Sequence, residues 1–497
     1  LVGVYDFVQD NSGTDWTEEN TRGKDNSGHG SHVASTAAGN PVDTTLNGLP
    51  VQLGGVAPNA NIVSYRVCYI GDPNDGDDDG CQSSAIISAI DQAITDGVDV
   101  LNHSIGGGDY SPWLSGHAPL AFLNARAAGI FVATSAGNSG PEPNTVGSPA
   151  NAPWMVAVGN ATHDRVLGSL VENLSGGDTT PPGVLVGQSV VGGIGVRKIV
   201  HARDFGNALC AQGEPELGPS CSDNTGASSP WPGRVFNGEI VVCDRGIYGR
   251  VEKGKNVLLA GAGGYILANT DDEGESLRAD QHCLPATHIG DRDGDLLRTW
   301  LASGSGHQGS ISGFDLYRVA EAGDELSSSS SRGPNNSPVE AVMKPDLIAP
   351  GSSILAAIET ADDFGFKSGT SMASPHVAGA GALLRAVHPD WTPSMLISAL
   401  LTTATPELAH DFDGSEVTVH ERGAGRPRLD QAVNAGLYLE EDRHGFWAAN
   451  PGSGGDPADL NLPGLIDPGC HNACDFQRTV TDLVGGAQWT VSALSLI

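Results

Sequence analysis

The sequence contains no run approaching the roughly 18 consecutive apolar residues that a membrane-spanning helix requires, and that excludes such a helix as an organising element. Basic residues are scarce: 26 Lys and Arg stand against 59 Asp and Glu, for a formal charge of -33. This balance excludes nucleic acid and anionic membranes as expected partners, since both call for a cationic face. No Cys-x-x-Cys pair occurs, so the spacing of a zinc site is missing. The eight cysteines form an even set with close neighbours, Cys68 and Cys81, Cys210 and Cys221, Cys470 and Cys474. Disulfides formed in an oxidising, extracellular compartment follow from that pattern. The sequence opens on Leu1 with no signal peptide, and the expectation is a processed or cut chain. What is present is ample: 497 residues at 39 % hydrophobic content suffice for a large core and more than one domain.

The segment GTSMASPHVAGAGALLRAV, Gly369 to Val387, carries the strongest chemical signal. Ser371 stands among small residues at a helix start, where free N–H groups and the positive end of the dipole favour a developing negative charge. Pro375 is tolerated in the first turn, and Gly379 and Gly381 among alanines allow close packing. A second segment, DNSGHGSHVASTAAGN, predicts a helix of small residues from about His29 to Ala38, capped by Asn26 or Ser27. Its two histidines, His29 and His32, lack a third ligand and are not read as a metal pair.

From Asn61 the chain reads strand (IVSYRVCYI), acidic loop, helix (SSAIISAIDQAITDG), strand (VDVLNHSIGG), helix, strand (GIFVATSAGNSG). This alternation predicts a parallel sheet with crossover helices, whose active site lies beyond the carboxyl ends of the strands. The acidic loop Asp72 to Asp79 lacks the EF-hand register and is read as a solvated insertion, with structural calcium left open. No cofactor is expected. Two nucleotide-binding look-alikes fail on single residues: GRVEKGKN from Gly249 ends in Asn256 where a Ser or Thr is needed, and GAGG from Gly261 meets Ile266 where the final glycine belongs.

GTSMASPHVAG resembles the nucleophile block of the subtilisin-like serine proteases, the subtilases, and GHGSHVAS resembles their histidine block. The resemblance implies an α/β fold with a parallel, doubly wound subtilisin-like sheet, Ser371 as nucleophile and His29 as general base, leaving His32 a structural role. It implies further that Asn138 in SAGNSGP donates to the oxyanion, and that Ser104, Ile105, Gly106 and Gly107, with Ser135, Ala136 and Gly137, line the substrate strand. The implied activity is secreted serine endopeptidase action on proteins and peptides. The alternatives are an exopeptidase of the same family and a non-catalytic binding protein that kept the fold.

His29 and Ser371 lie 342 positions apart, which points to an insertion. Residues 166–322, with GEIVVCDRG, KNVLLAGAGGYILAN and HCLPATHIG, resemble the protease-associated domain of larger subtilases. The expected organisation is catalytic domain over 1–165 and 323–440, the insertion over 166–322, a linker over 441–454, and over 455–497 the start of a fibronectin-III-like β-sandwich. The family's relay aspartate ends a strand and is followed by a small residue and glycine. Asp6 is followed by Phe7 and Val8, and LVGVYDF resembles the strand after the aspartate strand. The expectation is a relay aspartate upstream of Leu1, with Asp6 as the alternative, and feeble activity for the chain as written.

Overall fold

The computed structural model describes residues 1–8, 25, 27–46, 49–69, 80–214, 229–272, 274, 277, 280–359, 363–406, 409–411, 415–471 and 473–490. The acidic loop Asp72 to Asp79 and Cys221 lie outside them. Two units can be distinguished: one comprises 1–45, 50–163 and 324–497, the other 46–49 and 164–323.

The first unit begins with β1 (Gly3–Asp6), helix α1 (His29–Ala38) and β2 (Val63–Arg66), β1 and β2 pairing in parallel. Then follow α2 (Ser83–Asp96), β3 (Val100–His103), α3 (Ala118–Ala127), β4 (Phe131–Ser135) and β5 (Val156–Ala161). Phe131–Ser135 and Val156–Ala161 are buried at every position, as expected of strands covered on both faces. Cys68 and Cys81 are bonded to one another in a short antiparallel pairing.

The second unit holds β6 (Arg165–Ser175), β7 (Leu185–Gln188), β8 (Ile194–His201), β9 (Ile240–Asp244), α4 (Arg250–Leu259), β10 (Gly264–Ala268), β11 (Ala286–Ile289), α5 (Asp291–Leu301), β12 (Gln308–Ile311) and β13 (Asp315–Arg318). Its sheet runs β7-β11-β10-β9-β8-β12-β6-β13, and β7 also pairs with β6, so seven of the strands close into a ring. Val241 and Cys243 pack with Val257 of α4, whereas Ile240 and Val242 pack with Leu297 and Trp300 of α5, the two-residue alternation of a covered sheet. GRVEKGKN is the start of helix α4, with Gly249 preceding its first turn. Cys210 is bonded to Cys243, thirty-three residues on, and not to its near neighbour in sequence; Cys283 is also disulfide-bonded. Sequence spacing does not reveal which cysteines the barrel brings together.

The chain then returns to the first unit with β14 (Leu347–Pro350), β15 (Ile354–Ala357), β16 (Phe364–Lys367), α6 (Thr370–Val387), α7 (Pro393–Thr402), β17 (Leu437–Leu439), α8 (Arg443–Ala448) and β18 (Val480–Asp482). A four-stranded parallel sheet has the order β14-β5-β4-β3. On one face Ile86, Ile90 and Phe122 pack with Val132 and Trp154; on the other Phe131 and Ala133 pack with Val377, Leu384 and Leu400. The unit is therefore helix, sheet, helix in layers, with α6 across the middle. Two glycines let it lie there: a Cβ at Gly379 would come 2.6 Å from Val56 Cβ and 2.8 Å from the Ala37 oxygen, and one at Gly381 would come 2.7 Å from the Phe131 ring.

Residues 441–454 are not the linker their polar composition predicts. They form α8, with Phe446 fully buried beside Trp154, and Ala449 and Leu460 complete the same core. Three apolar anchors suffice to dock a segment that otherwise reads as loop. Of the sandwich expected over 455–497, the described residues form one named strand, Val480–Asp482, which pairs antiparallel with Leu437–Leu439. Among the described residues no helix is long and apolar enough to cross a membrane.

Candidate active site

The carboxyl ends of β3 and β4 lead into Ser104 and into Ala136–Asn138, and both meet the start of α6. Ser371 is the second residue of that helix. The first N–H groups of a helix have no partner inside it, so each must be found one elsewhere. Thr370 N–H donates to Asn138 Oδ1 at 2.9 Å, and Met372 and Ala373 N–H donate to the Gly369 oxygen. The Ser371 N–H has no acceptor among the described residues.

Asn138 is oriented by the same contacts. The Thr370 hydroxyl donates to Asn138 Oδ1 at 3.0 Å and accepts from Gly137 N–H at 3.2 Å. With Oδ1 engaged twice by Thr370, the amide nitrogen faces away and has no acceptor among the described residues. Two donors are thus left open where α6 begins. Gly137 adopts φ +112, and a Cβ there would come 2.7 Å from Ser331 Oγ, which accepts from Ser139 N–H. SSSSSRGPN therefore braces the Asn138 loop, with Ser331 N–H donating to the Gly137 oxygen.

His29 is the first residue of α1, the helix predicted over the same residues. Ser27 Oγ accepts from His29 N–H at 3.2 Å, as a cap. The larger cap is Asp25, which sequence reasoning missed: Oδ1 accepts from Ser27 and Gly28 N–H at 3.0 and 2.9 Å, and Oδ2 from Ser31 N–H at 2.6 Å. These bonds hold the Asp25 carboxyl below its ordinary range although burial pushes it up. An Asp four residues before a helical His, in a polar loop, was the available signal. The His29 imidazole is pushed below its ordinary value by burial and then by Lys367, with Asp25 opposing, which favours the neutral ring that a general base requires.

The His29 ring makes no hydrogen bond among the described residues. Ser371 Oγ–H instead donates to the Ser104 oxygen at 3.3 Å. Ser104 Oγ–H donates to the Ser371 oxygen at 2.8 Å. The Asp6 carboxylate accepts from Val8 N–H at 3.0 Å and pairs with Arg66 at 3.2 Å. His32 is fully buried, and its Nε2 lies 2.9 Å from the Ile354 oxygen and 3.2 Å from the Gly365 oxygen, tying α1 to the β15–β16 hairpin. Ser135 and Ala136 are buried behind the site, while Gly106, Gly107 and Asn138 are exposed beside it.

The sequence matches the subtilase family over residues 4–436. It is 35 % identical over 541 residues to the subtilisin-like protease SBT1.7 of Arabidopsis thaliana, a match covering 100 % of this chain and 68 % of that protein. Identity to SBT1.4 of the same plant is 35 %, covering 94 % of this chain and 59 % of the relative. For SBT1.6 it is 37 %, covering 84 % and 54 %. The matches thus span between about half and two thirds of these relatives' length. Together with a serine at the head of a buried helix, a capped histidine helix and two open N–H donors, they show that the chain belongs to the subtilase family of subtilisin-like serine proteases.

Proposed function

We propose that this chain carries the catalytic machinery of a secreted serine endopeptidase that cleaves protein and peptide substrates through an acyl-enzyme. The observation that carries this reading is the pair of open donors beside the start of α6, the Ser371 N–H and the Asn138 amide, which suits an oxyanion. Ser371 Oγ attacks the substrate carbonyl carbon, and His29 takes its proton and returns it to the leaving amine; water then releases the acyl group by the reverse sequence. Gly106 and Gly107 leave room for an extended peptide at the end of β3. Asp6 is not given the relay role, because Arg66 and the Val8 N–H already hold its carboxylate. In subtilisin itself, loss of the relay aspartate lowers turnover by a factor on the order of 10⁴. With no carboxylate bonded to the His29 ring among the described residues, low turnover is expected.

Residues 166–322 are read as a protease-associated domain: they fall within the unit of 46–49 and 164–323, which closes its own barrel, and they contain none of His29, Asn138 or Ser371. Secretion is supported by the disulfides Cys68–Cys81 and Cys210–Cys243. The test is covalent labelling by a fluorophosphonate together with hydrolysis of an internally quenched peptide blocked at both ends. Labelling that vanishes in Ser371→Ala, with cleavage of the blocked peptide, is the expected result. Cleavage of peptides with free ends only would favour an exopeptidase, and no labelling even of a chain supplied with a relay-aspartate strand would favour a binding protein.

A further inference from the structure

Pro375 lies inside α6, and a proline has no N–H to give the carbonyl four residues back. That carbonyl belongs to Ser371. The nucleophile's own C=O therefore lacks its helical partner, and the Ser104 hydroxyl takes the place of the missing N–H at 2.8 Å. A hydroxyl can turn either way, however, and Ser104 Oγ needs a reason to point its proton at Ser371.

Asn102 supplies it. Its amide Nδ2–H donates to Ser104 Oγ at 3.1 Å, which uses that oxygen as an acceptor and turns the Ser104 proton toward the Ser371 carbonyl. The amide is in turn set by Ser374, whose fully buried hydroxyl donates to Asn102 Oδ1 at 2.7 Å. The proton order thus runs one way, from Ser374 to Asn102 to Ser104 to the Ser371 carbonyl, and it begins and ends in the first five residues of α6. The periodicities match: Asn102 and Ser104 are two apart at the end of a strand and share a face, and Ser371 and Ser374 are three apart on a helix and share a face. Val100, two residues earlier, packs on this α6 face, whereas Leu101 packs with α2 and α3 on the other.

We propose that Asn102 is a positioning residue for the nucleophile: through Ser104 it fixes the Ser371 peptide unit, and with it the direction of the Ser371 hydroxyl and N–H. The inference rests on the protease reading above. A merely structural asparagine would change how much protein is folded; a positioning one changes the reactivity of the folded protein.

The experiment compares wild type, Asn102→Ala, Asn102→Asp, Ser104→Ala and the Asn102→Ala/Ser104→Ala double variant, all in the whole chain. The readouts are kcat and KM on the quenched peptide, the rate of fluorophosphonate labelling at Ser371, and the thermal midpoint. Asn102→Ala is expected to lower kcat and the labelling rate about ten-fold, the worth of one hydrogen bond, with KM within about two-fold. Asn102→Asp has nearly the same shape but cannot donate to Ser104, so it should lose as much; it also serves if the alanine variant fails to fold. Because both residues act through one bond, the double variant should lose no more than Ser104→Ala alone. Multiplied losses in the double variant, an effect on KM alone, or labelling of Asn102→Ala and Asn102→Asp at the wild-type rate would overturn the proposal. A wild-type protein that neither cleaves nor labels overturns the protease reading and this one together, whereas a labelled wild type with unaffected variants overturns this one only.

Discussion

His103 gives a prediction with a magnitude. It ends β3, its ring is buried against Phe122 with centroids 4.9 Å apart, and the ring makes no hydrogen bond among the described residues. Burial alone lowers it to about 4 from an ordinary 6.5. The folded state therefore holds a neutral imidazole where the unfolded chain binds a proton. Its contribution to stability is intact above about pH 6.5 and is lost as the pH falls from there toward 4. Between pH 7 and pH 5 the folded-to-unfolded ratio changes by roughly 20-fold, or about 2 kcal/mol. His103→Leu removes the titration and keeps an apolar side chain, so its stability should fall less over that interval by about 2 kcal/mol, whatever its absolute stability. Trp113 and Trp154 lie in the same core and report its unfolding in urea by fluorescence. His282, also held at about 4, acts equally in both proteins and cancels. Parallel pH dependences in wild type and His103→Leu would refute the reasoning.

Three further outcomes are expected. Asn138→Ala should lower kcat by about 10² to 10³ with little change in KM, a size taken from subtilisin itself and not worked from this chain, and single-turnover acylation checks it. Gly379→Ala should destabilise the catalytic unit by about 1 to 3 kcal/mol, since the new methyl meets Val56 and the Ala37 carbonyl oxygen; thermal midpoints decide. Lys344 is fully buried and bonds Asp346 at 2.6 Å; burial drives the lysine down and the aspartate up, and the pairing opposes both. Lys344→Met should cost about 3 to 5 kcal/mol by leaving that aspartate unpaired, and adding Asp346→Asn should recover part of the loss in urea unfolding.

The parts of this molecule legible in its sequence are those where local chemistry and periodicity agree. His29–Ala38, Ser83–Asp96 and Phe131–Ser135 form where small-residue, amphipathic and continuous apolar patterns predict them. Ser371 was legible as a serine at a helix start, which by itself is commonly a cap; the nucleophile reading rests on the resemblance of the whole GTSMASPHVAG segment to the subtilase block. What escaped was set by contacts between distant segments. Phe446 and Leu460 read as isolated apolar residues in a polar stretch, and only the surface left open beside Trp154 makes them core. Cys210 found Cys243 because the barrel brings them together, although Cys221 is nearer in sequence. Asp25 was passed over for Asn26 and Ser27 because its carboxylate caps from a turn further back.

The first turn of α6 shows why the unreadable part matters to the chemistry. A buried helix start normally has every N–H satisfied, and an unsatisfied one costs about 1 to 3 kcal/mol. Here Thr370, Met372 and Ala373 are satisfied by Asn138 and Gly369, and the N–H of the half-buried Ser371 is the one left without an acceptor among the described residues. In the second turn Pro375 removes the donor that the Ser371 carbonyl would have had, and there the deficit is repaired by Ser104. One orphaned group is left open and the other is closed, within a single residue. Under the proposed acyl-enzyme mechanism this asymmetry would serve a transient negative charge: an N–H open to the oxyanion, and a carbonyl of the same residue held in place by Ser104.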